Sequence, residues 1–203
     1  MTIMTAQVRP STREAQRLQT RERILGAAIA EFKRSGMAGV EVNAIVAAAG
    51  VAHGTFYFHF PTKEHVLLEL ERREEARVAT QFERFLAGPH HLSDALAEVV
   101  ALVRGLEERF GRPLFKELVA LHFSPSRPES ENWTDHPVIV LLVREIERAR
   151  DQGAVHPEVD PFSNAVFFLL GVYGVLSAGE GPDSRDILLE KLVASTVRGL
   201  EIR

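Results

Sequence analysis

Four side chains with hydrogen-bonding tips, His53, Thr55, Tyr57 and His59, stand at alternate positions of one short stretch, with Phe58 among them and Lys63 soon after. Imidazole, hydroxyl and phenol groups can bond base edges and phosphate oxygens, and an ammonium can neutralise a phosphate. Catalysis has no comparable foothold. No Gly-x-Ser-x-Gly elbow, P-loop or paired nucleophile and base is present, so no enzyme is expected. His90, His91, His122 and His136 lack the close spacing with a carboxylate that a zinc site shows. With 0 cysteines there are neither disulfides nor thiolate ligands, and neither a metal nor another cofactor is expected.

The elements that must carry these groups read as helices. Ile24, Leu25, Ala28, Ile29 and Phe32 recur at spacings of three and four, so a first helix is predicted from near Ser11 or Thr20 to Ser35, stopped by Gly36. A second covers about Val42–Ala49 and ends at Gly50, and a third covers about His53–His59. Pro61 is predicted to open a long fourth helix from its first position. Small residues at Ala47 to Ala49 would let two helices approach, and Gly50 can supply a positive φ at the turn. Phe56 and Phe60, four apart, would face inward. Such a pair projects its second helix outward, as a recognition helix entering a major groove must be. A glycine turn between helices can also be plain packing.

The string from Ala49-Gly50-Val51 through Gly54-Thr55-Phe56-Tyr57-Phe58-His59-Phe60-Pro61-Thr62-Lys63-Glu64 resembles the tetracycline-repressor family nearly position for position, and Arg23-Ile24-Leu25, Ala28, Phe32 and Gly36 extend the match to about residues 18–70. The resemblance implies that Thr55 and Tyr57 meet phosphate and groove, that His53 and Phe58 set base preference, that His59 meets the backbone and that Lys63 anchors a phosphate. One departure stands out. The second helix usually opens with Thr or Ser, whereas this chain has Val40-Glu41-Val42-Asn43. Glu41 caps poorly and repels phosphate, and Asn43 could take over as the polar contact.

Charge is distributed to suit such a head. Net charge is -4, but residues 1–65 carry 8 Lys/Arg against 5 Asp/Glu, and the remainder 16 against 23. A basic head on an acidic body approaches a polyanion in one orientation. The rest of the chain reads as helices near 92–109, 113–123, 137–152, 161–177 and 184–202. The longest apolar run, Ala165–Leu176, is shorter than the roughly 20 residues of a membrane span, so no membrane association is expected. Arg9, Arg13 and Arg17 have no apolar core behind them, so no signal peptide is expected and the location is read as cytoplasmic.

The body is rich in aromatic residues. Together they permit an apolar pocket, for which Phe85, Phe115, His122, Phe123, Phe167 and Tyr173 are the candidate lining residues, with Arg104 a further polar group. Taken singly, each is better accounted for as core. The all-round apolar helix from Phe162, with Gly171 and Gly174, and the last helix, with Leu188, Leu192 and Val193, are candidates for a dimer face.

The expected fold is all-α, with an N-terminal three-helix helix-turn-helix DNA-binding domain and a C-terminal helical ligand-binding and dimerisation domain. The expected divisions are a flexible arm at 1–10, the head at 11–62 and the body at 63–203. The expected partners are a double-stranded DNA operator, a small-molecule effector of apolar or amphipathic character, and a second copy of the chain. Repressor and activator are indistinguishable at this level, and a ligand-binding dimer with an inactive head remains an alternative.

Overall fold

The computed structural model describes residues 11–124, 134, 136–178 and 181–201, the side chains of His122 and Pro182 excepted. The arm expected at 1–10 lies outside the described residues. Those described are helical with no strand: α1 (Thr12–Gly39), α2 (Val42–Ala49), α3 (His53–His59), α4 (Lys63–Leu86), α5 (Leu92–Phe110), α6 (Arg112–His122), α7 (Pro137–Asp151), α8 (Pro161–Ala178) and α9 (Pro182–Leu200). The chain divides into two compact units, Met1–Leu67 and Leu68–Arg203.

In the first unit, Ser11 caps α1 by accepting from the Glu14 amide at 3.3 Å. The apolar stripe Ile24, Leu25, Ala28 and Phe32 is buried. Gly36, at φ 70° and ψ 157°, breaks the helical path where the sequence predicts a stop, and one further turn follows to Gly39. Gly50 ends α2 at φ 62°, in the left-handed region that glycine adopts without a Cβ penalty. Of the three alanines expected at the helix contact, Ala49 alone is buried; Ala47 and Ala48 face solvent. Phe56 and Phe60 are buried as the four-residue spacing predicts, with ring centroids 6.1 Å apart.

The sequence places the domain boundary at 62/63 and the start of α4 at Pro61; the helix instead begins at Lys63 and the units divide inside it. The reason lies in bonds between positions distant in sequence. The Lys63 ammonium donates to the carbonyls of Met37 at 2.9 Å and Val40 at 2.6 Å, so the first turn of α4 is bound into the first unit.

The second unit is built around α8, which packs on α5, α6, α7 and α9. Asp160 caps it, accepting from the Ser163 amide at 2.9 Å, with Pro161 as its first residue. Phe168, Leu169, Val172 and Leu176 of α8 meet Leu96, Val99 and Val103 of α5, Leu142 and Ile146 of α7, and Leu189 of α9 in one core. A Cβ at Gly171 would come within 3.0 Å of Leu192 on α9, so this glycine sets a close helix contact inside the unit. By length and composition alone α8 could cross a membrane, with a mean hydropathy of 1.5 over 18 residues, which the shorter run read from the sequence missed; a third of that stretch is buried.

Candidate functional site

Helix α3 has two faces because its apolar spacing is short. Phe56 and Phe60 turn inward, and the residues between them are forced outward. Phe58 is 68% exposed and Tyr57 47%; His53 is exposed and Thr55 and His59 are half-buried. His53 and Tyr57 meet edge to face at 5.2 Å, as do Phe58 and His59 at 5.1 Å, so four of the outward groups stiffen one another in pairs. Asn43 lies exposed in the first turn of α2, behind Glu41, which starts the helix without a side-chain cap.

Three arginines of α1 hold this pair of helices. Arg23 donates to the Ala49 carbonyl at 2.5 Å and the Gly50 carbonyl at 3.2 Å, satisfying acceptors that the end of α2 leaves open. Arg21 donates to the His59 carbonyl at 2.6 Å and lies 4.1 Å from the Phe60 ring centroid. Arg17 lies 5.4 Å from the Phe58 centroid. Burial, then Arg21 and Arg17, lower the affinity of His59 for a proton below its ordinary value. The sequence reading did not single out these arginines; their clue was a basic residue at every fourth position of α1 or nearly so, along the edge of its apolar stripe. Lys63, expected as a phosphate anchor, spends two of its hydrogens on the Met37 and Val40 carbonyls. A Thr62 hydrogen bond holds the neighbouring Glu64 carboxyl below the usual range.

The body contains a separate, mostly apolar cavity of about 30 Å³, lined by Glu71, Glu74 and Glu75 of α4, Leu106 and Phe110 of α5, Phe115, Leu118 and Val119 of α6, Phe123, and Tyr173 of α8. Phe115, Phe123 and Tyr173 are therefore brought together as candidate lining residues. Phe85 is not: it packs against the core and against the His90 ring at 5.5 Å. Phe167 is not either, because its position on α8 points away from the core and leaves it 67% exposed. The side chain of His122 lies outside the described residues, and Arg104 pairs with Asp186 at 2.9 Å away from the cavity. Sequence reasoning missed the three glutamates, since a run of Glu and Arg on an amphipathic helix reads as a solvated face. Arg109 lies 2.7 Å from Glu74, and His136 lies 3.1 Å from Glu75. Burial, then Glu75 and Glu71, raise the Tyr173 phenol above its ordinary value, so it stays protonated as a donor.

Comparison with known proteins agrees with this geometry. The model of "Bacterial regulatory proteins, tetR family" matches residues 24–70. The HTH-type transcriptional regulator UidR of Escherichia coli is 27% identical over 166 residues, 81% of this chain and 83% of that protein. The HTH-type transcriptional repressor KstR of Mycolicibacterium smegmatis is 39% identical over 71 residues, 35% of this chain and 34% of its own. Thermus thermophilus FadR, a repressor solved in complex with lauroyl-CoA, shares the fold with a TM-score of 0.72 at 23% identity, covering 90% of this chain and 96% of that one. A helix-turn-helix with an outward aromatic and imidazole face, on a chain of this helical plan, gives residues 24–70 the signature of the tetR family of bacterial regulatory proteins and makes the chain similar to DNA-binding transcriptional regulators over most of its length.

Proposed function

We propose that the chain is a homodimeric repressor, acting on the chromosome in the cytoplasm, that a small amphipathic effector releases from a near-palindromic operator. The head, about residues 11–62, reads DNA; the body, about 63–203, senses the effector and forms the dimer. The observation that carries this reading is α3: Phe56 and Phe60 are wholly inside, so His53, Tyr57 and Phe58 are not needed in the core and are presented outward. Asn43, Thr55 and His59 flank that surface, and the third hydrogen of the Lys63 ammonium is available to a phosphate at its edge.

Two further features support the assignment. Phe162 and Phe167 of α8 and Ile187 and Leu188 of α9 are large apolar side chains left exposed, the pattern of a surface covered by a second copy. Two recognition helices about one duplex turn apart then read two half-sites. The aromatic cavity supplies the sensing site, and release requires that the effector favour the form that does not bind DNA.

Selection of bound fragments from the source genome by the purified protein tests this. A recurrent inverted repeat, lost on Tyr57→Ala, is the expected outcome. Retention of fragments no better than random sequence would sink the DNA-reading assignment and leave a ligand-binding dimer.

A further inference from the structure

Resting on the proposal that α3 reads DNA, we infer that the reading surface extends onto α1, where Arg17, seated on the ring of Phe58, binds a backbone phosphate of the duplex. The buried stripe of α1 begins only at Ile24, so the helix runs about three turns beyond the core it serves. None of residues 12–23 is buried. Arg13 and Arg17 stand exposed there, four apart and in line with Arg21 along one side of the helix. Arg21 is engaged by the His59 carbonyl and the Phe60 ring. Arg17 differs. Its guanidinium carbon lies 5.4 Å from the Phe58 centroid, and it forms no ion pair among the described residues, whereas Arg34 on the same helix pairs with Glu31.

An aromatic face attracts a guanidinium without using up its N–H donors, so the ring holds the charge in place and leaves donors for an anion. Phe58 is 68% exposed and belongs to the outward face of α3, so a group resting on it lies at that same surface. The next ring is His59, edge to face with Phe58 at 5.1 Å, and the charge of Arg17 reaches it: after burial and Arg21, Arg17 is a cause of its lowered proton affinity. Arg17 stands on the helix beside α3 and not on α3 itself, which sets its charge at the wall of a groove that α3 enters, where phosphates and not base edges lie. Phosphate is also the group that a guanidinium matches with paired hydrogens. Phe58 is then in part a positioning residue that acts through Arg17.

Titration of the full-length protein with duplex DNA over a series of salt concentrations tests this, and a duplex of random sequence is a sufficient probe because phosphate contacts do not depend on sequence. Arg17→Gln is expected to weaken binding about 5-fold and to lower the slope of log K against log salt by about one unit, equally on random duplex and on the inverted repeat recovered by genomic selection. Arg17→Lys is expected to keep the slope. In a Phe58→Leu background the Arg17→Gln loss is expected to shrink to about 2-fold or less, since the two groups act as a unit. Arg144→Gln, at an exposed cation of the body, is expected to leave the slope unchanged. An unchanged slope in Arg17→Gln overturns the inference, and so does a loss confined to the inverted repeat, which would assign Arg17 to a base. An equal fall of slope in Arg144→Gln would mark long-range attraction and overturn it as well, and an undiminished loss in the Phe58→Leu background would overturn the seating on the ring. If the wild-type protein binds no duplex at any salt concentration, the DNA-reading proposal falls and this inference with it.

Discussion

The ammonium of Lys63 donates to the carbonyl of Val40 at 2.6 Å, and so ties the first turn of α4 to the end of α1. The Met37 carbonyl accepts a second bond from the same group. Bonds from a charged donor to part-buried carbonyls contribute about 1.5–3 kcal/mol each before desolvation is counted. Lys63→Met is therefore expected to lower stability by about 1–3 kcal/mol, read from denaturant melts. An unchanged midpoint would show the two bonds to be neutral. A salt slope of DNA binding reduced by about one unit as well would mean that the remaining hydrogen reaches a phosphate.

The two faces of α3 separate binding from folding. Tyr57→Ala and Phe58→Ala remove exposed rings, and each is expected to weaken operator binding by about 1–3 kcal/mol while moving the melting midpoint little. Phe56→Ala removes a fully buried ring and is expected to cost about 3–5 kcal/mol of stability. Gel-shift titrations and melts on the same preparations check both. Equal stability losses at Tyr57 and Phe56 would refute the division of faces.

His59 gives the head a pH dependence of known sign. Its folded value is depressed below 6.5 by burial, then by Arg21 and Arg17. The unfolded chain thus takes up the proton more readily than the folded one. This contribution to stability is complete above about pH 6.5 and is lost as pH falls through the lower folded value. Relative to His59→Gln, the wild-type protein is expected to lose melting temperature as pH is lowered from 7 to 5. A wild-type-to-variant difference that does not change with pH over that range would contradict the assignment.

Phe167 tests the dimer. Burial of a phenylalanine against a partner is worth about 1.5–3 kcal/mol per copy, and a charge there reverses the sign. Phe167→Asp is expected to sediment as a monomer with its helical content intact and to bind a full operator more weakly than the wild-type dimer does. If the variant remains a dimer, the interface lies elsewhere.

The head was legible because its signals are local. Gly36 and Gly50 mark backbone that only glycine adopts easily, and the Phe56–Phe60 spacing fixes which face of α3 is inside. The start of α4 was not, because Pro61 suits a first helical turn equally well and only the long-range bonds of Lys63 decide the matter. The cavity was legible in part. Aromatic residues in helices look alike whether they line a space, fill the core or face outward, so Phe115, Phe123 and Tyr173 could not be told from Phe85 and Phe167 without the packing of α6 against α8. The carboxylate wall was hidden for a different reason. Glu71 and Glu75 are buried, and Glu75 meets His136, which lies far along the chain, at 3.1 Å.

Arg23 closes the end of α2 from outside that helix, and Arg21 does the same for α3. The turn between the two helices therefore carries only part of its own geometry, at Gly50. A peptide spanning 42–60 would lack the groups that fix the crossing of its helices, and transplanting that segment onto another scaffold would transfer its letters without its shape. The smallest portable head is one that begins upstream of Arg21 and ends beyond Lys63, which makes α1 as much a determinant of the proposed reading surface as α3 itself.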